Sequence, residues 1–380
     1  MPIKLNIKSP SPEESVATTS VIDTKPLNRK DMSIVDLLVF ATENDCSDLY
    51  IKKNDYPYVS KFGKIFRLPC NPTSKVQWNN FYELYVSNEL NFKYVQDRML
   101  DTSMSIRVPT DSPYRKITSN FRYRVNFGYS DDNEIATFRM IKPKKPTFDT
   151  INYNKACMTA LTTAFSERTG LIIEAGPTGS GKSTTLAACI NTFTKPNNIL
   201  DNRVIITLED PIENEFDSTD SVKINQKELG KDFLTFSKGI KSALREHPDV
   251  IIVGEMRDKE VISTAIEAGR TGHLVSTTFH ASNVGTTISR ILDHLENDKN
   301  LAYDLVSQLN IVIAQRMLQR DNGYFVDTQY LLFDEAITRY LINAINSNAN
   351  VFIEAEKLVN DPKIQAAGLS KTWEFPDEVK

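Results

Sequence analysis

Three observations predict an α/β protein in two parts. Between residues 151 and 320, short apolar runs (LIIEA at 171–175, VIITLE at 204–209, VIIV at 250–253, LVSTTF at 274–279) alternate with helical periods. That alternation is the pattern of a buried parallel sheet with crossover helices. A Gly-rich turn, GPTGSGKS at 176–183, joins the first of these strands to a helical run. Upstream, over roughly 31–142, strands and a helix occur without that alternation, as expected of a smaller α+β domain.

The elements follow in order. Residues 1–30 are rich in Ser, Thr, Pro and charge, with no sustained hydrophobic period, and read as a flexible tail. SIVDLLVFATEN has helical spacing behind Ser33 as a cap, and SDLYIKK and YVSKFGKIFRL read as strands around an Asn-Asp turn. FRYRVNFGYS and EIATFRMI are the last strands of this domain. Pro143 and Pro146, set among lysines, mark a linker over 143–150. After 151–320, the final stretch 321–380 reads as mostly helical, YLINAINSNANVFIEAEKLV included.

Composition narrows the functions. With 40% hydrophobic and 25% charged residues, the 380-residue chain should mostly fold, and it is long enough for two cores. A net charge of -4 gives no global attraction to nucleic acid or anionic lipid. Cys46, Cys70, Cys157 and Cys189 form no C-x-x-C pair, which argues against a zinc ribbon or disulfide framework. No apolar run is long enough to span a membrane and the N-terminus lacks a signal-like core, so a cytoplasmic protein is expected.

GPTGSGKS fits G-x-x-x-x-G-K-[ST] in the required strand–turn–helix context. Gly176, Gly179 and Gly181 let backbone N–H groups turn toward phosphate oxygens, and the helix adds the positive end of its dipole. The nucleotide-binding set is Gly176, Pro177, Thr178, Gly179, Ser180, Gly181, Lys182, Ser183 and Thr184. Lys182 would meet the β- and γ-phosphates of ATP, and the Ser183 hydroxyl would ligate Mg²⁺.

Hydrolysis also needs carboxylates for the metal and for the attacking water. VIITLED ends in Glu209 and Asp210, and VIIVGE in Glu255. Strand carboxyl ends face the ligand crevice of an open parallel sheet. Glu255 is therefore assigned to Mg²⁺, directly or through water, and Glu209 to orienting and deprotonating the water, although the two roles are interchangeable at this level. Asp210 would hold a neighbouring loop or an outer water of the site. His273 and His280 bracket LVSTTF, and seven strand steps set them on the order of 20 Å apart, too far to share a metal ion. His280, at the carboxyl end, is placed to sense the γ-phosphate or bond a catalytic carboxylate, while His273 has a structural or interface role.

Together, GPTGSGKSTT, TLEDPIE, ALREHPDVIIVGEMRD and TGHLVSTTFHAS resemble the Walker A, Asp box, Walker B and His box of the PilT/GspE-type secretion and pilus motor ATPases. SDLYI, YRVNF, TFRMIKP and AQRML extend the resemblance over roughly 35–320. It implies a RecA-like P-loop ATPase domain behind a PAS-like N-terminal domain, a homohexamer, and docking on inner-membrane secretion platform proteins; the acidic balance and the absence of interleaved basic and aromatic stretches argue against direct nucleic-acid binding. It also nominates Arg124 and Arg139, with Arg122 as an alternative, to reach the γ-phosphate when the domains close.

Departures bear on the branch. There is no tetracysteine zinc module, and EAITRYLINA stands where the retraction motors carry an Ala-Ile-Arg-Asn-Leu-Ile-Arg-Glu signature. His247 and Arg270 replace residues that are acidic in the family pattern. The sequence is thus most similar to the DotB-like and conjugative-transfer ATPases. The function implied is a motor for type IV secretion or conjugative transfer, with pilus retraction as the alternative and a nucleic-acid translocase as the more distant one.

Overall fold

The computed structural model describes residues 31–374 apart from 62, 87–93, 95, 108–119, 142–144, 152, 297 and 321–322. Its contacts divide the chain into two units, Met1–Lys144 and Lys145–Lys380. The expected tail over 1–30 and Pro143 of the expected linker lie outside the described residues.

In the first unit, helix α1 (Ile34–Glu43) begins where Ser33 accepts from the Asp36 N–H and Asp36 returns the bond, a reciprocal cap. Strands β1 (Asp48–Lys52), β2 (Tyr58–Lys61), β3 (Lys64–Arg67), β4 (Leu100–Arg107), β5 (Asn120–Ser130) and β6 (Asn133–Ile141) form one antiparallel sheet in the order β3-β2-β1-β6-β5-β4. YVSKFGKIFRL is a hairpin, not a single strand, because the chain turns at Gly63 with φ 73°, where a side chain would be strained. The sequence reading missed β4 and helix α2 (Lys75–Tyr85).

Alternation assigns the two faces of this sheet. Tyr123, Val125, Phe127 and Phe138 are fully buried and pack with Trp78 and Phe81 of α2. Each such side chain contributes about 1.5–3 kcal/mol by leaving water. Arg122, Arg124 and Arg139 lie on the opposite, polar face.

The second unit is built on a sheet ordered β14-β13-β12-β7-β11-β10-β8-β9. Six of its strands run parallel: β7 (Gly170–Ala175), β8 (Val204–Glu209), β9 (Lys223–Glu228), β10 (Val250–Val253), β11 (Leu274–Phe279) and β12 (Leu309–Arg320). All residues of β7, β10 and β11 are buried, as strands covered on both faces must be. Helix α3 (Lys155–Ser166) leads into β7, and the crossover helices are α4 (Lys182–Phe193), α5 (Phe236–Ala243), α6 (Lys259–Arg270), α7 (Val284–His294) and α8 (Lys299–Gln308).

Two expectations need correction. From Lys145 onward the expected linker belongs to the second unit: the Phe148 ring packs on Phe193 and Tyr153, and the Pro146 carbonyl accepts from Asn191. The expected helical region from 321 is in part sheet. Strand β13 (Gly323–Leu332) returns antiparallel along β12, and β14 (Ser370–Lys371) pairs with β13. β13 is rich in aromatic and β-branched residues and is paired along both edges, conditions that favour a buried strand over a helix. Only α9 (Glu335–Asn346), α10 (Val351–Asn360) and α11 (Pro362–Ala366) between them are helical.

Candidate nucleotide site

At the carboxyl end of β7 the chain turns through Gly176–Gly181 into α4. Gly181 stands before the helix with φ 89°, and no side chain caps the helix N-terminus. Its first N–H groups are thereby left for an anion. Gly176 is required by close approach: a Cβ there would lie 2.4 Å from both the Gln315 carbonyl and Ser180 Oγ. Pro177, Thr178 and Gly179 form the exposed crest of the loop, whereas Ser180 is buried, and Ser183 and Thr184 are exposed on the first turn of α4.

Lys182 is folded onto its own loop, its ammonium donating to the carbonyls of Gly176 (2.8 Å) and Pro177 (3.0 Å). Burial pulls its pKa below the ordinary lysine value, opposed by the charges of Glu255 and Glu174. Glu174 is fully buried one residue before the end of β7, and neither carboxylate oxygen has a hydrogen-bond partner among the described residues. Burial pushes its pKa up to about 8 despite the pull of Lys182.

Sheet order brings the other candidates alongside. β11 is the direct neighbour of β7, followed by β10 and β8. His280, Glu255 and Glu209 therefore stand in a row at the strand ends. His280 Nε2 is 3.6 Å from Glu255 Oε1, within ion-pair range but beyond a hydrogen bond. Arg257 Nη2 is 2.9 Å from the other Glu255 oxygen, and its Nη1 lies 3.9 Å from Asp210. The loop carrying Glu255 is pinned by Thr278 Oγ1, which donates to the Gly254 carbonyl at 2.6 Å. Glu209 accepts from Thr207 Oγ1 (2.7 Å) and Gln226 Nε2 (3.0 Å). These two bonds fix the orientation of its carboxylate.

His273 lies at the other end of β11, with Nδ1 3.3 Å from the Ala268 carbonyl. Arg270 pairs with Asp304 of the same chain at 2.6 Å, and His247 takes a left-handed turn conformation at φ 52°.

The arginine candidates lie in the first unit, where Arg124 and Arg139 are direct cross-strand partners. Arg124 pairs with Asp101 at 2.8 Å and Arg139 with Asp48 at 3.0 Å, while Arg122 donates to Ser103. Sequence reasoning did not single out Arg257, Glu174 or Gln315. Arg257 had a signal, being two residues beyond Glu255 on the same strand-end loop.

Oxygen-only donors such as Ser183 and Glu255 suit a hard divalent cation that keeps most of its waters. Nearby backbone N–H groups and Lys182 suit phosphates. The chemistry available is phosphoryl transfer to water.

The family of type II/IV secretion system proteins matches residues 35–336. The chain belongs to this family. Among its relatives, the type IV pilus retraction ATPase PilT of Pseudomonas aeruginosa is 33% identical over 317 residues, covering 82% of this chain and 85% of PilT. Crystallised PilT with bound ADP superposes with a TM-score of 0.71 at 31% identity, over 84% of this chain and 87% of that one. The ATPase DotB of Legionella pneumophila gives a TM-score of 0.75 at 25% identity, over 91% and 96%. The family membership and the α/β architecture expected from sequence both hold, and the family's relatives are ATPases. Among the described residues, no helix is long and apolar enough to cross a membrane.

Proposed function

We propose that the chain hydrolyses ATP as a ring of six copies and uses the cycle to power type IV secretion or conjugative transfer. It would do so from the cytoplasmic side, docked on platform proteins of the inner membrane. The observation that carries the reading is the row of His280, Glu255 and Glu209 at the ends of β11, β10 and β8, next to a phosphate-binding loop. That arrangement would put phosphate binding and water activation together at the carboxyl ends of neighbouring strands.

Residues 176–184 cradle the phosphates, and Lys182 exchanges its two loop carbonyls for the β- and γ-phosphates. Ser183 and Glu255, the latter directly or through water, would hold Mg²⁺, which would supply charge neutralisation at the phosphate oxygens. Glu209, held by Thr207 and Gln226, orients the water and takes its proton. His280 senses the γ-phosphate through Glu255. Arg124 and Arg139 reach the γ-phosphate on domain closure, trading carboxylate partners for phosphate.

Phosphate release by Glu209→Gln and Glu255→Gln tests the chemistry. Each should lose at least roughly a hundredfold in kcat while still binding ADP, and unchanged turnover would refute the mechanism. The 33% identity to PilT favours pilus retraction as a second reading. Deleting the gene separates the two: lost transfer supports the first, and intact transfer with excess pili the second. A strong, salt-sensitive acceleration of hydrolysis by DNA would overturn both.

A further inference from the structure

The strand beside the phosphate-binding loop grips that loop through one side chain. Gln315 of β12 is fully buried. Its Nε2 donates to the Ser180 carbonyl at 2.8 Å, and its Oε1 accepts from Thr185 Oγ1 on α4 at 3.1 Å. The amide orientation is fixed by chemistry, since a carbonyl can only accept and must face the nitrogen. Tyr153 OH stands 3.5 Å from the same Oε1. Gln315 also bounds the loop at both ends: its carbonyl excludes a Cβ at Gly176, and its Nε2 lies 3.4 Å from where a Cβ on Gly181 would sit. One residue therefore touches the start of the loop, its last turn and the helix that follows.

This bridge matters because of where Lys182 now lies. Its ammonium ties the loop together through Gly176 and Pro177. Engaging a phosphate removes both bonds at the moment when the loop must hold its N–H groups on the ligand. The Gln315 bond to Ser180 does not involve Lys182 and survives the exchange.

We propose that Gln315 is a positioning residue of the nucleotide site. It ties the Ser180 carbonyl to Thr185 of α4, so that the loop keeps its phosphate-binding shape after Lys182 departs. The inference rests on nucleotide binding at this loop, as in the function proposed above.

Gln315→Met, nearly equal in length and without polar atoms, removes the tie while filling the space. In the full-length chain, ADP Kd and ATP KM should each rise roughly tenfold, the worth of one buried hydrogen bond and its orphaned partner, with kcat within about twofold. A merely structural role would lower the melting temperature and the active fraction but leave Kd of the folded protein unmoved.

Thr185→Val removes the donor that orients the carboxamide, and should raise ADP Kd in the same direction, by roughly threefold. The double variant should be no weaker than Gln315→Met alone, because both changes act through one amide. An unchanged ADP Kd in Gln315→Met, or additive losses in the double variant, overturns the proposal. If Gln315→Met does not fold, an unchanged Kd in Thr185→Val overturns it equally. Absence of ADP binding by the unaltered chain would refute the nucleotide site itself, a distinct result.

Discussion

Replacing Glu174 by glutamine should flatten the pH dependence of the second unit's stability. The carboxyl is completely buried, lacks a hydrogen-bond partner among the described residues, and titrates at about 8 instead of the ordinary 4.5. The other titratable groups that feel its charge are Tyr153, Cys157, Cys189 and Lys182; burial holds the tyrosine and both thiols neutral through this range, and Lys182 remains the nearby cation.

Because the folded value lies above the unfolded one, the native state keeps a proton that the unfolded chain has released between pH 4.5 and about 8. Stability fully present below pH 4.5 is therefore lost as pH rises toward 8, by about 1.4 kcal/mol per pH unit. Between pH 5 and pH 7 the loss is on the order of 3 kcal/mol, and the glutamine variant escapes it. Urea unfolding of the full chain measures the difference through Trp373, with Trp78 of the first unit replaced by phenylalanine in both proteins. The two stability curves should converge near pH 5, with the variant the more stable at pH 7 to 8. Parallel curves over that range would show that Glu174 does not enter the fold as a neutral acid.

Three further outcomes follow from the geometry. Gly176→Ala forces a methyl to within 2.4 Å of the Gln315 carbonyl and should weaken ADP binding at least tenfold by displacing the loop, as read by titration with a fluorescent nucleotide. Asp327→Ala removes a fully buried carboxylate that accepts from Arg316 and from the N–H groups of Thr328 and Glu374; the loss of about 3 kcal/mol should lower the thermal midpoint by roughly 5–10 °C. Arg124→Ala and Arg139→Ala should each lower kcat by roughly a hundredfold or more with little change in ADP Kd, if these guanidiniums meet the γ-phosphate only in the closed state; equal losses in binding would count against that timing.

Local chemistry was the legible part. The strand–turn–helix around GPTGSGKS could be read because its glycines and the flanking strand and helix are contiguous, and the strand-end placement of Glu209 and Glu255 because a parallel sheet has a polarity. β9 was not legible: KINQKE is mostly polar, and only Ile224 and Glu228 are buried in it. β13 was hidden because Asp327, Thr328 and Gln329 look like surface residues, whereas all three are buried, Asp327 accepting from Arg316 and Gln329 from the Val284 N–H. Glu174 read as one polar residue in an apolar run, with nothing to mark its isolation. Gln315 lies within the AQRML segment, but its tie to Ser180, 135 positions away in the chain, could not be read.

That distance sets a timetable for the newborn protein. The whole Gly176–Thr184 loop has been polymerised by position 184, yet the strand that flanks it is still to be made. At ~5–20 residues per second, synthesis from Thr184 to Leu309 takes roughly 6–25 seconds. During that interval the exposed edge of β7 awaits a neighbour, and closing so long a loop is entropically slow. The brace on the Gly176–Thr184 loop is therefore completed late, after nearly all of the sheet has been synthesised. A chain stalled before β12 would carry the whole phosphate-binding motif without the strand that braces it.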